Sequence, residues 1–158
     1  MNTRNRGMQI AADMARRKRD AAAADLSRGR AAERAAQGQF DQLCNYAADT
    51  ESRWGEQARV RATPELMAHH FQFMARLHHA IGLQRDVMKQ HARQIDLWMA
   101  RLREAELRLA SLQMVIDRQR LEAERLMARR EQKQTDETAA MQFRRTALAA
   151  LEEQSRGD

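Results

Sequence analysis

Residues 67–126 read MAHHFQFMARLHHAIGLQRDVMKQHARQIDLWMARLREAELRLASLQMVIDRQRLEAERL, and every seventh residue of this stretch is apolar. These positions are Met67, Met74, Ile81, Met88, Ile95, Leu102, Leu109, Ile116 and Ala123. A straight α-helix drifts relative to a seven-residue repeat, so an apolar seam this long faces a partner helix only by supercoiling around it. The stretch predicts a coiled coil, which favours a role in binding over one in catalysis.

A second set of seam positions lies three residues after each member of the first, and its composition is mixed. Its members are His70, Leu77, Gln84, His91, Trp98, Ala105, Leu112, Gln119 and Leu126. The rest of the chain agrees with helical structure, because aromatic residues make up 4% of its 158 residues and there is one proline. Good helix formers dominate and nothing alternates with period two, so we predict an all-α protein that is extended rather than compact.

Two helices with one break form the predicted domain, a single coiled-coil domain over residues 1–158. We expect helix one at about 8–52, a tip loop at about 53–63 with Gly55 as the helix stop, and helix two at about 64–149. The start of helix two is marked by Thr63 as the cap, Pro64 in the first helical position and Glu65 near the positive helix end. The seam of helix one follows Ala22, Leu26, Gly29, Glu33, Ala36, Phe40, Leu43, Ala47 and Trp54.

These lengths predict an antiparallel coiled-coil hairpin in which the second helix overhangs the first. Residues beyond about 115 then have no partner within the chain, although the apolar register continues through Ile116, Ala123, Leu126 and Met127. That segment needs another surface, or it stays dynamic.

The formal charge of +6 is concentrated in the first third of the chain. Residues 1–34 carry nine Lys or Arg and four Asp or Glu, whereas residues 117–158 carry nine of each. The densest part consists of Arg16, Arg17, Lys18 and Arg19. Such a segment favours an acidic partner, which could be nucleic acid, anionic lipid or an acidic protein surface, and it is equally compatible with a solvated helix face.

Catalytic and metal chemistry have little support. The five histidines (His69, His70, His78, His79 and His91) include no pair three or four residues apart, the spacing with which one helix binds a metal. Cys44 is the single cysteine, and no glycine-rich phosphate loop is present. We therefore expect no enzyme activity, no cofactor and no small-molecule substrate. With no predicted signal peptide or membrane span, we expect a soluble cytoplasmic protein.

A second apolar stripe lies beside the main seam near the predicted tip. On helix two it follows Phe73, Leu77, Ala80 and Gln84, and on helix one Gln39, Leu43, Tyr46 and Thr50. Two interpretations stay open. The stripe either closes a short core around the seam or forms a contact surface for a partner, for which large side chains such as Phe73 and Tyr46 are suited.

Three segments resemble the flagellar FliJ family: residues 39–46 (QFDQLCNY), 73–81 (FMARLHHAI) and 131–137 (EQKQTDE). The resemblance covers nearly the whole chain. It implies a two-helix antiparallel coiled coil that is similar to the rotor stalk of rotary ATPases. It also implies a soluble component of the flagellar type III export apparatus that binds the export ATPase ring, engages the export gate membrane protein and escorts export chaperones.

Carried over by position, the resemblance implies a gate-binding stripe near the tip. Its members are Gln39, Leu43, Tyr46, Phe73, Leu77, Ala80 and Gln84. Thr50 and Gln84 depart from the family pattern, in which an aromatic residue is common at the first position and a histidine can occur at the second. The basic segment Arg16 to Arg19 would suit the ATPase ring, and the protein would associate peripherally with the inner-membrane apparatus. The alternatives are a basic coiled coil that binds nucleic acid or anionic membrane, and the equivalent stalk of a virulence type III system.

Overall fold

Two α-helices account for almost all of the chain. The computed structural model describes residues 3–156, with side chains from residue 6 onward. Helix α1 spans Thr3–Arg61 and helix α2 spans Pro64–Ser155, with lengths of 59 and 92 residues. No strand occurs among the described residues. The predicted all-α class, with two long helices packed against each other, is confirmed.

Residues 13–109 form one compact unit, and the flanking segments at the two ends of the chain belong to a second. Within residues 13–109 the two helices run antiparallel: residues nearer the N-terminus of α1 contact residues nearer the C-terminus of α2. Trp54 contacts His70, Tyr46 contacts Phe73, and Ala36 contacts Gln84. The hairpin is therefore confirmed for this unit, while a single domain over residues 1–158 stays a prediction.

The seam of residues 13–109 is buried or half-buried at almost every position that alternating spacings of four and three select. On α1 these positions are 15, 19, 22, 26, 29, 33, 36, 40, 43, 47, 50 and 54. On α2 they are 70, 74, 77, 81, 84, 88, 91, 95, 98, 102, 105 and 109. The predicted register is confirmed except at Met67, which is exposed beside the turn.

Gly29 has a specific packing role in this seam. A Cβ atom built on Gly29 would overlap Cζ3 and Cε3 of Trp98, so the indole ring occupies the volume that any larger residue would need. Gly29 is buried and Trp98 is half-buried. The glycine that weakens the apolar pattern of α1 is therefore the residue that admits the largest side chain of α2.

The connection between the helices is shorter than predicted. Residues 53–61, which the sequence assigned to the tip loop, continue α1, and only residues 62 and 63 lie outside a helix at this turn. Gly55 does not stop the helix, because Glu56, Gln57 and Ala58 are good helix formers and one glycine costs only about 1 kcal/mol relative to alanine. Helix one thus extends from Thr3 rather than 8 to Arg61 rather than 52, and helix two extends to Ser155 rather than 149.

Pro64 sets the position of the turn instead. Its ring disfavours helical backbone at the preceding residue, so α1 must end before Thr63. The Thr63 hydroxyl then accepts a hydrogen bond of 3.3 Å from the Leu66 backbone N–H, and the Thr63 carbonyl accepts one of 3.0 Å from Met67. The predicted cap at Thr63 and start at Pro64 are confirmed.

In the other unit, the later part of α2 is exposed throughout. Every described residue from 121 to 156 is exposed, although all but the last belong to the helix. The apolar register therefore continues through Ala123 and Leu126 on a surface that faces solvent.

Candidate partner-binding surfaces

A small core holds the predicted tip stripe in place. Ala47, Met74, Leu77 and Ile81 are buried together, and three partly buried side chains pack against them: Phe40, Leu43 and Cys44. Side chains at seam spacing point into this core, and their neighbours along each helix point out of it. The core thus fixes which members of the predicted stripe reach the surface.

Tyr46 and Phe73 form the exposed centre of the stripe. Their rings meet edge to face across the two helices, with centroids 6.1 Å apart and ring planes at 80°. Tyr46 is 56% exposed and Phe73 is 41% exposed. This geometry is favourable for an aromatic pair, and it still leaves much of both rings available to another molecule.

Leu77 lies in the core instead. It is buried, together with Met74 and Ile81, so its assignment to a gate-binding surface is corrected. Leu43 is half-buried against the same core, and Ala80 is half-buried. The stripe therefore contains both core residues and exposed residues, and a contact with a partner stays a prediction for the exposed ones.

Gln84 is used within the hairpin. Its Nε2 donates a hydrogen bond of 2.9 Å to the Ala36 carbonyl and one of 3.3 Å to Oε1 of Gln39. Because Gln84 is half-buried at a seam position, these bonds satisfy a polar group that would otherwise be costly to bury. Gln39 itself is exposed and contacts the other helix through this hydrogen bond.

Two ring contacts near the stripe were missed by the sequence analysis. Trp54 and His70 stack with ring centroids 4.3 Å apart and planes within 6° of parallel, and the Arg85 guanidinium lies 5.8 Å from the Phe40 ring centroid. Trp54 and His70 were assigned to the two seams, so their proximity was available from the register. Arg85 lies outside the seam pattern, and nothing in the sequence indicated its contact.

The basic segment is exposed at Arg16, Arg17 and Lys18 and half-buried at Arg19. Arg16 pairs with Asp13 at 3.3 Å and Arg19 with Asp20 at 2.7 Å, so half of the segment is neutralised locally. In the part of the chain that the structure describes, no acidic side chain pairs with Arg17 or Lys18.

The antiparallel packing adds positive charge from α2 to this segment. Lys18 lines a shallow groove whose opposite wall contains Arg101 and Arg108, with Glu104 between them. Ala15, Ala22 and Ala105 form the apolar floor. The sequence analysis missed Arg101 and Arg108, because a local count of charge does not join residues that are more than 80 positions apart.

The histidines and Cys44 form no metal-binding group among the described residues. No group of three or more His, Cys, Asp or Glu side chains is placed to hold a metal ion. One of the histidines, His78, contacts a single carboxylate: its Nε2 lies 3.5 Å from a Glu51 carboxylate oxygen on the surface. Cys44 is a free thiol that packs half-buried against the core. Across residues 3–156, neither helix contains a stretch that is long and apolar enough to cross a membrane.

Comparison with known proteins gives one result that covers most of the chain. The family model described as "Flagellar FliJ protein" matches residues 8–148. This range includes the packed seam, the turn, the tip stripe and the basic segment. No curated protein matches the chain, and no solved structure matches it.

Proposed function

The chain belongs to the flagellar FliJ family, a family of non-enzymatic export proteins, and from this premise we propose that it is a coiled-coil stalk of the flagellar type III export apparatus. In this role it binds the export ATPase ring, engages the cytoplasmic domain of the export gate and escorts export chaperones. It lies at the cytoplasmic side of the inner membrane without entering it. Because the match is to the flagellar family, we favour this machine over a virulence system.

The exposed aromatic pair near the turn carries the gate-binding part of the proposal. Tyr46 and Phe73 are large, partly exposed and held against each other on a rigid core. Aromatic side chains of this kind dominate the binding free energy of many interfaces, because they bury a large area at a low cost in side-chain entropy. Gln39 and Ala80 would lie at the rim of the same surface.

A direct binding measurement tests this surface. We expect Tyr46→Ala with Phe73→Ala to weaken binding to the gate's cytoplasmic domain by at least 100-fold, because each hot-spot residue contributes about 2 kcal/mol or more. Calorimetric titration measures the loss, and circular dichroism checks that helicity is retained. Phe71→Ala is the matched control, since Phe71 is 62% exposed and lies two residues away on α2. Unchanged gate binding in the double variant contradicts the assignment.

The basic groove supports the ring-binding part. Arg17 and Lys18, together with Arg101 and Arg108, would meet an acidic surface inside the ATPase ring. The rival partners, nucleic acid and anionic membrane, would use the same charges and would bind with a steep dependence on salt.

Measuring how strongly the chain stimulates the export ATPase distinguishes the ATPase ring from nucleic acid and anionic membrane as the partner of these charges. Arg17→Glu with Lys18→Glu should abolish stimulation, whereas Arg53→Glu with Arg59→Glu, an equal charge change at exposed positions near the turn, should leave it intact. Full stimulation by the first variant, with loss of binding to DNA or anionic vesicles, would support the rival function.

A further inference from the structure

The last part of α2 presents a long helical surface that no described residue covers. All residues from 121 to 156 are exposed, and α2 continues to Ser155. Its exposed large apolar side chains are Leu121, Leu126, Met127, Met141, Phe143, Leu148 and Leu151. At about 1.5 Å per residue, residues 126–155 form a helical face of roughly 45 Å.

Apart from Glu131 and Lys133, the charges of residues 126–155 occur in adjacent pairs of like sign. Lys133 lies 3.8 Å from a carboxylate oxygen of Glu137 on the same helix. Residues 129–130 are both Arg, 136–137 are Asp and Glu, 144–145 are both Arg, and 152–153 are both Glu. The pairs follow one another at intervals of seven or eight residues, and positive and negative pairs alternate. The segment has no net excess of charge to attract a basic or an acidic partner, since residues 117–158 carry nine charges of each sign.

One member of each pair lies on the same face of the helix as the seam. Counted from Ala123, the next seam positions are Arg130, Glu137 and Arg144, and Glu152 directly follows the seam position Leu151. At about 100° per residue these four charges fall within roughly 80° of the helix surface. Met141 and Leu148 lie within the same sector, so the face contains apolar side chains between alternating charges.

This face is complementary to itself when two copies run antiparallel. Arg130 and Glu152 are equally distant from Met141, and Glu137 and Arg144 are equally distant from the bond between Ala140 and Met141. A two-fold axis at Met141 therefore places each positive pair of one copy against a negative pair of the other. A parallel arrangement in register would instead place like charges against each other at all four pairs.

We propose that residues 126–155 are a self-association surface, on which a second copy of this chain docks antiparallel around Met141. The observations that carry the proposal are the complete exposure of this part of α2 and the charge order along its seam face. The central contact is Met141 against Met141 of the second copy, flanked by Glu137 against Arg144 on both sides. The inference goes beyond the proposed stalk function and does not depend on it.

The strength of the association follows from the chemistry of the face. The apolar contacts are few and the ion pairs are close to solvent, so the dimer should be weak and should dissociate as salt screens the charges. We expect a dissociation constant in the micromolar range at low salt, and at least a tenfold increase in 0.5 M NaCl.

Charge reversal tests the proposal with the full chain. An acidic variant (Arg144→Glu with Arg145→Glu) and a basic variant (Asp136→Arg with Glu137→Arg) should each be monomeric in sedimentation velocity, because each places like charges opposite each other twice. A mixture of the two variants should form a heterodimer, and the chain that carries all four changes should dimerise again. Circular dichroism controls for any loss of helix, which the recovery in the mixture also excludes.

Cysteine crosslinking tests the direction. Met141→Cys should form an intermolecular disulfide readily, whereas Leu148→Cys should not, since antiparallel packing separates the two Leu148 positions by about 14 residues, or roughly 21 Å. The unmodified chain, which retains Cys44, gives the background.

Three results would overturn the proposal. The first is a wild-type chain that stays monomeric at about 100 μM and low salt. The second is equal crosslinking at positions 141 and 148, which indicates a parallel pair. The third is a dimer that neither charge variant weakens, since the association would then use another surface.

Discussion

Residues 74–109 and residues 121–155 belong to one continuous helix, yet they differ completely in burial. The first segment contains all five of the residues that are buried in the described part of α2: Met74, Leu77, Ile81, Ile95 and Leu109. The second contains no buried or half-buried residue. Good helix formers dominate both segments, so helix propensity explains why both are helical and cannot explain the difference.

The seam positions of the two segments also differ in chemistry. In residues 74–109 the first set of seam positions is apolar throughout, and Gln84, a polar member of the second set, is tolerated because its amide bonds to Ala36 and Gln39. After Ala123 the first set becomes Arg130, Glu137 and Arg144. Burying these charges against an apolar helix would be costly, so helix formation and helix packing are separate properties of this chain.

Truncation of one side chain in each segment should give the largest contrast. Ile81→Ala removes a buried core side chain, and we expect the free energy of unfolding to fall by about 2–4 kcal/mol. Leu148→Ala changes an exposed position, and the change should stay within about 0.5 kcal/mol. Urea unfolding followed by circular dichroism measures both variants. Equal effects would show that the two segments share one cooperative core.

A second contrast uses two glycines of the packed region. Gly29→Ala should destabilise the protein by about 1–2 kcal/mol, because the overlap with Trp98 outweighs the gain in helix propensity. Gly82→Ala should stabilise it by about 0.5–1 kcal/mol, because no atom of α1 and no side chain beyond the two adjacent residues lies within 4 Å of the added methyl group. Thermal unfolding of both variants measures the difference.

The double variant Gly29→Ala with Trp98→Ala identifies the cause. If the overlap is responsible, the cost of Gly29→Ala should disappear once the indole is removed. A cost that persists without Trp98 would place the strain elsewhere in α1.

The seam shows how much of this fold could be predicted from the sequence. Alternating spacings of four and three identified the side chains that face the other helix, including polar ones such as His70 and Glu33, because the helical period fixes their direction. The end of α1 could not be predicted in the same way. Gly55 was the predicted stop and Pro64 only the predicted start of α2, but α1 continues through Gly55 and Pro64 is the residue that limits it.

The candidate surfaces were predicted only in part, for a related reason. The spacing of the tip stripe grouped Phe73 with Leu77, although one is exposed and the other buried. Leu77 is also a seam position, so the register alone predicted its burial. Which residues of the other helix lie beside a given surface is not contained in the period of either helix. The same limit applies to Arg101 and Arg108, which join the basic segment only through the antiparallel pairing.

The smallest contrast is expected at the turn, where the Thr63 side chain makes one hydrogen bond to the first turn of α2. Thr63→Ala removes the hydroxyl that accepts a bond from the Leu66 N–H, and we expect a loss of about 1 kcal/mol in the free energy of unfolding. Thr63→Ser, which keeps the hydroxyl, should recover most of it. Thr138→Ala serves as the control in the exposed segment, since that hydroxyl bonds only to the Gln134 carbonyl within the helix. Urea denaturation resolves changes of this size, and an equal loss for Thr63→Ala and Thr63→Ser would show that Pro64 alone fixes the start of α2.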